Sequence, residues 1–283
     1  MTLTMLQGLE RALGTKDLKD KAVFKGLEKT GTIDKTIKFF KACADFLILI
    51  ARVTSAGSSS FIKGTISLGK AMSTARKITG LAKAWASIPR MVQGMRDSVT
   101  LLRQIREGDG EKFCLDAKGR KTGIQTNHQH WVETLTEKRL AATALILRFF
   151  ASVTTFVGFG VARPVSLGDE HWGPSHNRHI DNLGNWTFRY AMFATHASTL
   201  GACAVEATLA HTLYSKAEKT REAWLHFAER MLSIAGDAAE QAGEFVLDFI
   251  THPQFAAKVP PAVAPVIGFI TATIGLVNAW SRV

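Results

Sequence analysis

Residues 61–88 read FIKGTISLGKAMSTARKITGLAKAWASI. At 100° per residue, Leu68, Ala71, Met72, Ala75, Ile78 and Ala82 fall on one side of a helix, with Leu81 and Trp85 at its edge. Lys70, Arg76, Lys77 and Lys83 fill the opposite arc. The period is that of a helix and not of a strand, and the pairing of a cationic face with an oily one suits an anionic membrane surface. The stretch on either side has the same character. Between Lys35 and Arg106 stand thirteen Lys or Arg residues against two acids, Asp45 and Asp97. A soluble bundle mixes Glu with Lys to gain pairs one turn apart, and this segment does not.

Outward from that stretch, helical periods continue, and no alternating run is long enough for a sheet. Short amphipathic helices are expected at Leu3–Leu13 and Asp17–Glu28. Gly31 is expected to break the chain. Thr32 and Asp34 then cap a helix Ile33–Val53, whose apolar face is Ile33, Ile37, Phe40, Ala44 and Leu47. Thr54–Ser60 (TSAGSSS) reads as a hinge, and Pro89 is expected to kink or end the central helix. Val92, Met95, Val99, Leu102 and Ile105 continue an amphipathic pattern, and residues 107–139 form a polar linker and a short helix.

The second half has a different composition. The formal charge of +11 belongs entirely to residues 1–139, and residues 140–283 carry three apolar stretches. Ala141–Ala162 holds one charge, Arg148; Tyr190–Thr212 holds one, Glu206; Val259–Trp280 holds none and is long enough for a hydrocarbon core of roughly 30 Å. Pro260, Pro261 and Pro265 delay its regular helix, and Trp280 reads as an interface anchor. Ala264, Gly268, Ala272 and Gly275 form a small-residue stripe that permits close helix packing. The fold class expected is therefore all-α: basic amphipathic helices over residues 1–106, then a bundle of two or three transmembrane helices over residues 140–283.

Arg148 and Glu206 are costly if they face lipid. In an antiparallel hairpin of the first two apolar stretches, Arg148 lies 14 residues from Ala162 and Glu206 lies 16 from Tyr190. At about 1.5 Å per residue the two charges reach the same depth within roughly 3 Å. A structural ion pair and a polar pathway both use that coincidence. An acidic amphipathic helix, Lys216–Ile250, separates the second and third stretches.

Several classes of function are set aside. No Gly-rich phosphate loop, nucleophile elbow or HExxH motif occurs, so no enzyme activity and no cofactor are expected. A sequence pI near 9.7 invites nucleic acid, but no recognition motif appears and the apolar half has no place in that reading. Cys43, Cys114 and Cys203 are odd in number and far apart, which suits a reducing compartment. In the loop Arg163–Trp186, His171, His176, His179, Asp169 and Asp181 match no metal motif. The first residues have no continuous apolar run, so they do not read as a secretory signal, and Glu10, Asp17 and Asp20 argue against a mitochondrial presequence.

Four segments carry a resemblance. Asp34-Lys35 opens the first basic helix, and Ser73-Thr74-Ala75-Arg76-Lys77 is followed by Leu81 and Lys83. Phe188–Leu213 contains Glu206, and the Pro-introduced tail Val259–Trp280 ends in Trp. Together they resemble the peroxin-eleven family of peroxisome-proliferation proteins, which includes glycosomal members. The chain departs from the pattern at Thr79-Gly80, where that family often has an aromatic residue followed by Arg. The resemblance implies a peroxisomal or glycosomal membrane, elongated ahead of fission by insertion of the amphipathic helix into the cytosolic leaflet. It further implies homo-oligomers and contact with membrane-fission machinery, and in some readings a pore for small metabolites. Lys138 and Arg139 before the first span, and Lys216, Lys219 and Arg221 after the second, argue for a cytosolic N-terminus and a far-side loop. A third crossing leaves Val283 lumenal, whereas the resemblance implies two spans with both termini cytosolic.

Overall fold

The structure, a computed structural model, describes residues 22–54, 58–107, 114–115, 121–122, 132, 134–162 and 178–280. The expected helix Leu3–Leu13 and the first part of Asp17–Glu28 lie outside the described residues, as does most of the His-containing loop. The elements are α1 (Ala22–Val53), α2 (Ser59–Glu107), α3 (Leu135–Thr155), a π-helical continuation of α3 (Phe156–Ala162), α4 (Arg178–Lys216), α5 (Arg221–Ile250), the single turn α6 (Pro253–Ala256) and α7 (Val263–Trp280). Among the described residues the fold is all-helical apart from a two-residue antiparallel pairing, Cys114 with Thr122 and Leu115 with Lys121, and the single bridge residue Val132.

The six long helices form a closed ring. Each packs on the next in sequence, and α7 packs on both α5 and α1. Neighbours are antiparallel, as the cross-contacts require. On α1 and α2, Asp34 meets Thr79 and Asp45 lies beside Gly69. On α2 and α3, Gly80 lies against Phe159 and Gly94 against Phe149. On α5 and α7, Gly243 lies against Thr271 and Gly236 against Asn278. Alternation around an even-numbered ring brings Ala22, Glu107, Leu135, Lys216, Arg221 and Trp280 to one end, here the A end. Val53, Ser59, Ala162, Arg178, Ile250 and Val263 define the B end.

Local chemistry fixes the helix starts. The Ser58 hydroxyl accepts from the Phe61 amide at 3.2 Å and opens α2. Thr134 and Glu137 form a reciprocal capping box at α3. Thr220 accepts from the Ala223 amide at α5. Neither Gly31 nor Pro89 ends its helix. Gly31 lies inside α1, because Asp34 is occupied as a buried partner of α2 and not as a cap. Pro89 lies inside α2, which runs on to Glu107. Packing against α1 upstream and α3 downstream holds the helix through the one hydrogen bond that proline removes.

Glycines at two places allow close approach. A Cβ on Gly80 would meet the Phe159 ring at 2.6 Å, so the contact with the continuation of α3 demands a residue without a side chain here. A Cβ on Gly243 would overlap Thr271 of α7.

Near the A end the ring is packed as soluble proteins are, with Leu101, Val132, Ala141, Ala142, Leu209 and Leu213 in one buried cluster. Among the described residues, one helix, Leu135–Ala162, is long and apolar enough to cross a membrane; Val263–Ala279 is apolar but shorter. The expected stretch Tyr190–Thr212 is the interior of the longer α4, and the regular part of Val259–Trp280 begins only at Val263.

A charged interior as the candidate functional site

On α1, α5 and α7 the usual distribution is inverted. Asp34 and Lys38 of α1 are buried, whereas Ile33, Phe40, Leu47 and Ile50 on the same helix are exposed. On α5, Arg230 and Glu240 are buried while Leu232, Val246 and Phe249 face out. On α7, Val266, Ile270 and Val277 are exposed. The apolar face expected on Ile33–Val53 is thus largely the outer face of α1. Its inner face carries Asp34 and Lys38 one turn apart, followed by the buried Ala42, Ala44 and Ala51.

Those charges are paired between helices. Lys35 pairs with Glu240 and Lys38 with Glu244, joining α1 to α5 across the ring. The Thr79 hydroxyl donates to Asp34 at 3.0 Å, and Arg76 lies 3.5 Å from the same carboxylate, joining α2 to α1. His196 of α4 is 2.6 Å from Gln241 and 3.3 Å from Asp248 of α5. The Arg148 guanidinium of α3 donates from Nε and Nη2 to the two oxygens of Glu206 on α4, 2.9 Å each, and lies 3.6 Å from Asp237 of α5. Planar, two-pronged contact of this kind is the strong form of an ion pair. At the A end Lys216 pairs with Glu137, which is fully buried.

The residues singled out in the sequence divide accordingly. Arg148 and Glu206 come together in the antiparallel α3–α4 pair. Leu68, Ile78, Leu81 and Trp85 are exposed on the outside of α2, Ile78 by 68% and Trp85 by 57%, and Met72 is half-buried. Lys70 is exposed. Arg76 requires a correction: it turns inward to Asp34 and does not belong to a free cationic face. The side chains of Lys77 and Lys83 lie outside the described ones. Of the small-residue stripe, Ala272 is buried and Gly275 packs against the Glu240 carboxylate. Ala264 and Gly268 instead line a cavity, and a Cβ on Gly268 would meet nothing within 4 Å. Among the described residues no group of three or more His, Cys, Asp or Glu side chains is arranged to hold a metal ion.

Sequence reasoning missed Asp34, Lys35, Lys38, Asp237, Glu240 and Glu244 as interior groups. A signal existed in the acids of α5. Asp237, Glu240, Glu244 and Asp248 recur every three or four residues and form one acidic stripe. The Lys35–Lys38–Lys41 stripe of α1 has matching spacing and opposite sign.

The cavity lies near the B end between α1, α5 and α7, with Arg76 of α2 at its inner limit, and measures about 740 Å³. That is within the roughly 300–1,000 Å³ range of small-molecule sites.

Comparison with models of known protein families, with characterised proteins and with solved structures finds no match.

Proposed function

We propose that this chain is an integral protein of the peroxisomal or glycosomal membrane that assembles with copies of itself and elongates that membrane ahead of fission. The observation that carries the reading is the outer face of α2. It is divided lengthwise into an exposed oily strip, Leu68, Ala71, Ile78 and Trp85, and an exposed polar strip, Lys63, Ser67, Lys70 and Thr74. A surface of that kind is at its lowest free energy where acyl chains meet anionic headgroups, each lysine contributing about 1 kcal/mol near the surface. Because α2 packs along α3 from Gly80 to Leu101, it acts as one edge of the ring and not as a lone helix lying flat. The exposed apolar residues of α1, α5 and α7 support immersion of the neighbouring sector in lipid.

Orientation follows from the connections. The A end is flanked by Lys112, Lys118, Arg120, Lys121, Lys138, Arg139, Lys216, Lys219 and Arg221. The B-end connections 163–177 and 251–262 contribute Arg163 and Lys258, and the adjoining helix ends add Arg52, Lys63 and Arg178. The positive-inside bias therefore favours a cytosolic A end, with Ala22 and Trp280 on the same side and Lys63 and Lys70, near the B end of α2, at the far leaflet and not the cytosolic one. The test is reconstitution of the full chain into anionic and neutral giant vesicles. Tubules should grow from the anionic vesicles and fail to form when Lys63 and Lys70 are both changed to Glu. Smooth, correctly inserted anionic vesicles at high protein density would defeat the proposal.

A second reading, a channel for small charged metabolites, is favoured by a separate observation: ionised side chains turned inward along the ring, with a cavity beside them. Conductance in planar bilayers, lost on Lys38→Ala, is its test; inserted protein that stays silent excludes it.

A further inference from the structure

The cavity near the B end has two chemically different walls. Ile48 and Leu49 of α1, Leu247 of α5 and Pro265 of α7 supply an apolar wall, and the bare backbone of Gly268 leaves room beside them. The other wall is charged, with four cations against two carboxylates. Three of the cations already have acidic partners: Lys38 with Glu244, Lys41 with Asp45 at 2.6 Å, and Arg76 with Asp34. Arg52 is the exception. It is exposed in the last turn of α1 and makes no ion pair among the described residues.

We infer that this cavity binds a single-chain anionic amphiphile, its head held by Arg52 at the B end and its chain lying along Ile48, Leu247 and Pro265. Charge complementarity sets the head. One uncompensated guanidinium accepts one carboxylate or phosphate in two-pronged contact. The apolar wall sets the rest, because a small hydrophilic anion would leave those side chains in contact with water or empty space, without the gain from apolar burial. Lys41 and Asp45, already paired, line the passage and add no net charge. The site is separate from the outer face of α2, so it stands or falls independently of membrane elongation.

The test uses the full chain in nanodiscs of neutral phosphatidylcholine, with empty nanodiscs as the blank. The probes are spin-labelled hexadecanoate, a lysophosphatidic acid, hexadecanol and inorganic phosphate. The two anionic amphiphiles should bind saturably at one site per chain, and the tighter one tells a carboxylate head from a phosphate head. Hexadecanol should bind at least about tenfold more weakly, because it lacks a charge-assisted contact. Arg52→Gln should weaken the anions by a similar factor and leave hexadecanol unchanged. Gly268→Leu fills open space without touching any charge, and should abolish binding of all three chains while the helical circular dichroism stays as in the wild type. No saturable binding would overturn the inference. So would unchanged affinity in both variants, or competition by inorganic phosphate as strong as by the amphiphiles.

Discussion

Replacing Arg148 by Leu gives the sharpest reading of the interior, because two carboxylates depend on that guanidinium. Arg148 holds both oxygens of Glu206 at 2.9 Å and lies 3.6 Å from Asp237. Without it, Glu206 loses both of its guanidinium contacts and its neighbour Asp237 loses one cation. Removing one partner of a fully buried pair costs about 3–5 kcal/mol. Here the side chains are 35% and 18% exposed, so screening reduces the expected loss to about 2–3 kcal/mol. Glu206→Gln should cost less, about 1–2 kcal/mol, because Asp237 still faces the guanidinium. The double variant Arg148→Leu/Glu206→Gln should fall short of the sum of the singles by about 1 kcal/mol or more, the signature of direct coupling. For a chain of this size each kcal/mol moves the melting temperature by roughly 2–4 °C, so Arg148→Leu should lower it by about 4–12 °C. The assay is thermal loss of the helical circular dichroism signal in neutral nanodiscs. If Glu206→Gln proves more costly than Arg148→Leu, or the two losses simply add, the pair does not hold α3 to α4 and the reasoning fails.

The remaining predictions follow from other contacts. Gly243→Val drives a side chain into Thr271 and should destabilise by about 1–3 kcal/mol, whereas Gly268→Ala should be neutral within about 0.5 kcal/mol by the same melting assay. Lys35→Glu should destabilise, and adding Glu240→Lys should restore most of the loss; no recovery would argue that the α1–α5 pair is incidental. Glu137→Ala removes both the capping contact at Thr134 and the Lys216 partner, so a loss of about 2 kcal/mol is expected against about 1 kcal/mol for Thr134→Ala. Epitope tags fused before residue 1 and after residue 283 should share one fate when intact organelles are treated with protease. One protected tag and one digested tag would contradict the even-numbered ring.

The helical class was legible because the 3.6-residue period runs through nearly every segment, and the Arg148–Glu206 contact was legible because depth in an antiparallel hairpin is simple arithmetic. The inward orientation of α1 was not. Ile33, Phe40 and Leu47 read as part of one apolar face, and periodicity alone does not say whether that face turns inward or outward. Arg76 was misassigned for a related reason. On a helix diagram it belongs with Lys70 and Lys77, and only the position of Asp34 on a neighbouring helix draws it inward. The continuity of α2 through Pro89 is also tertiary, since the packing that tolerates the lost hydrogen bond comes from α1 and α3. The course of α5 decided the last point. Read as an acidic surface helix, Lys216–Ile250 left residue 283 on the far side; packed back along α4, it returns the end of α7 to the same end of the ring as the start of α1.

Closure of the ring between its first and last helices sets a schedule for synthesis. Lys35 and Lys38 emerge from the ribosome about two hundred residues before Glu240 and Glu244, and at roughly 5–20 residues per second that interval lasts on the order of 10–40 s. Throughout it, α1 presents its oily outer face without the two carboxylates that α5 brings to Lys35 and Lys38. Pairing of the two lysines therefore waits for α5, and closure of the ring waits for α7.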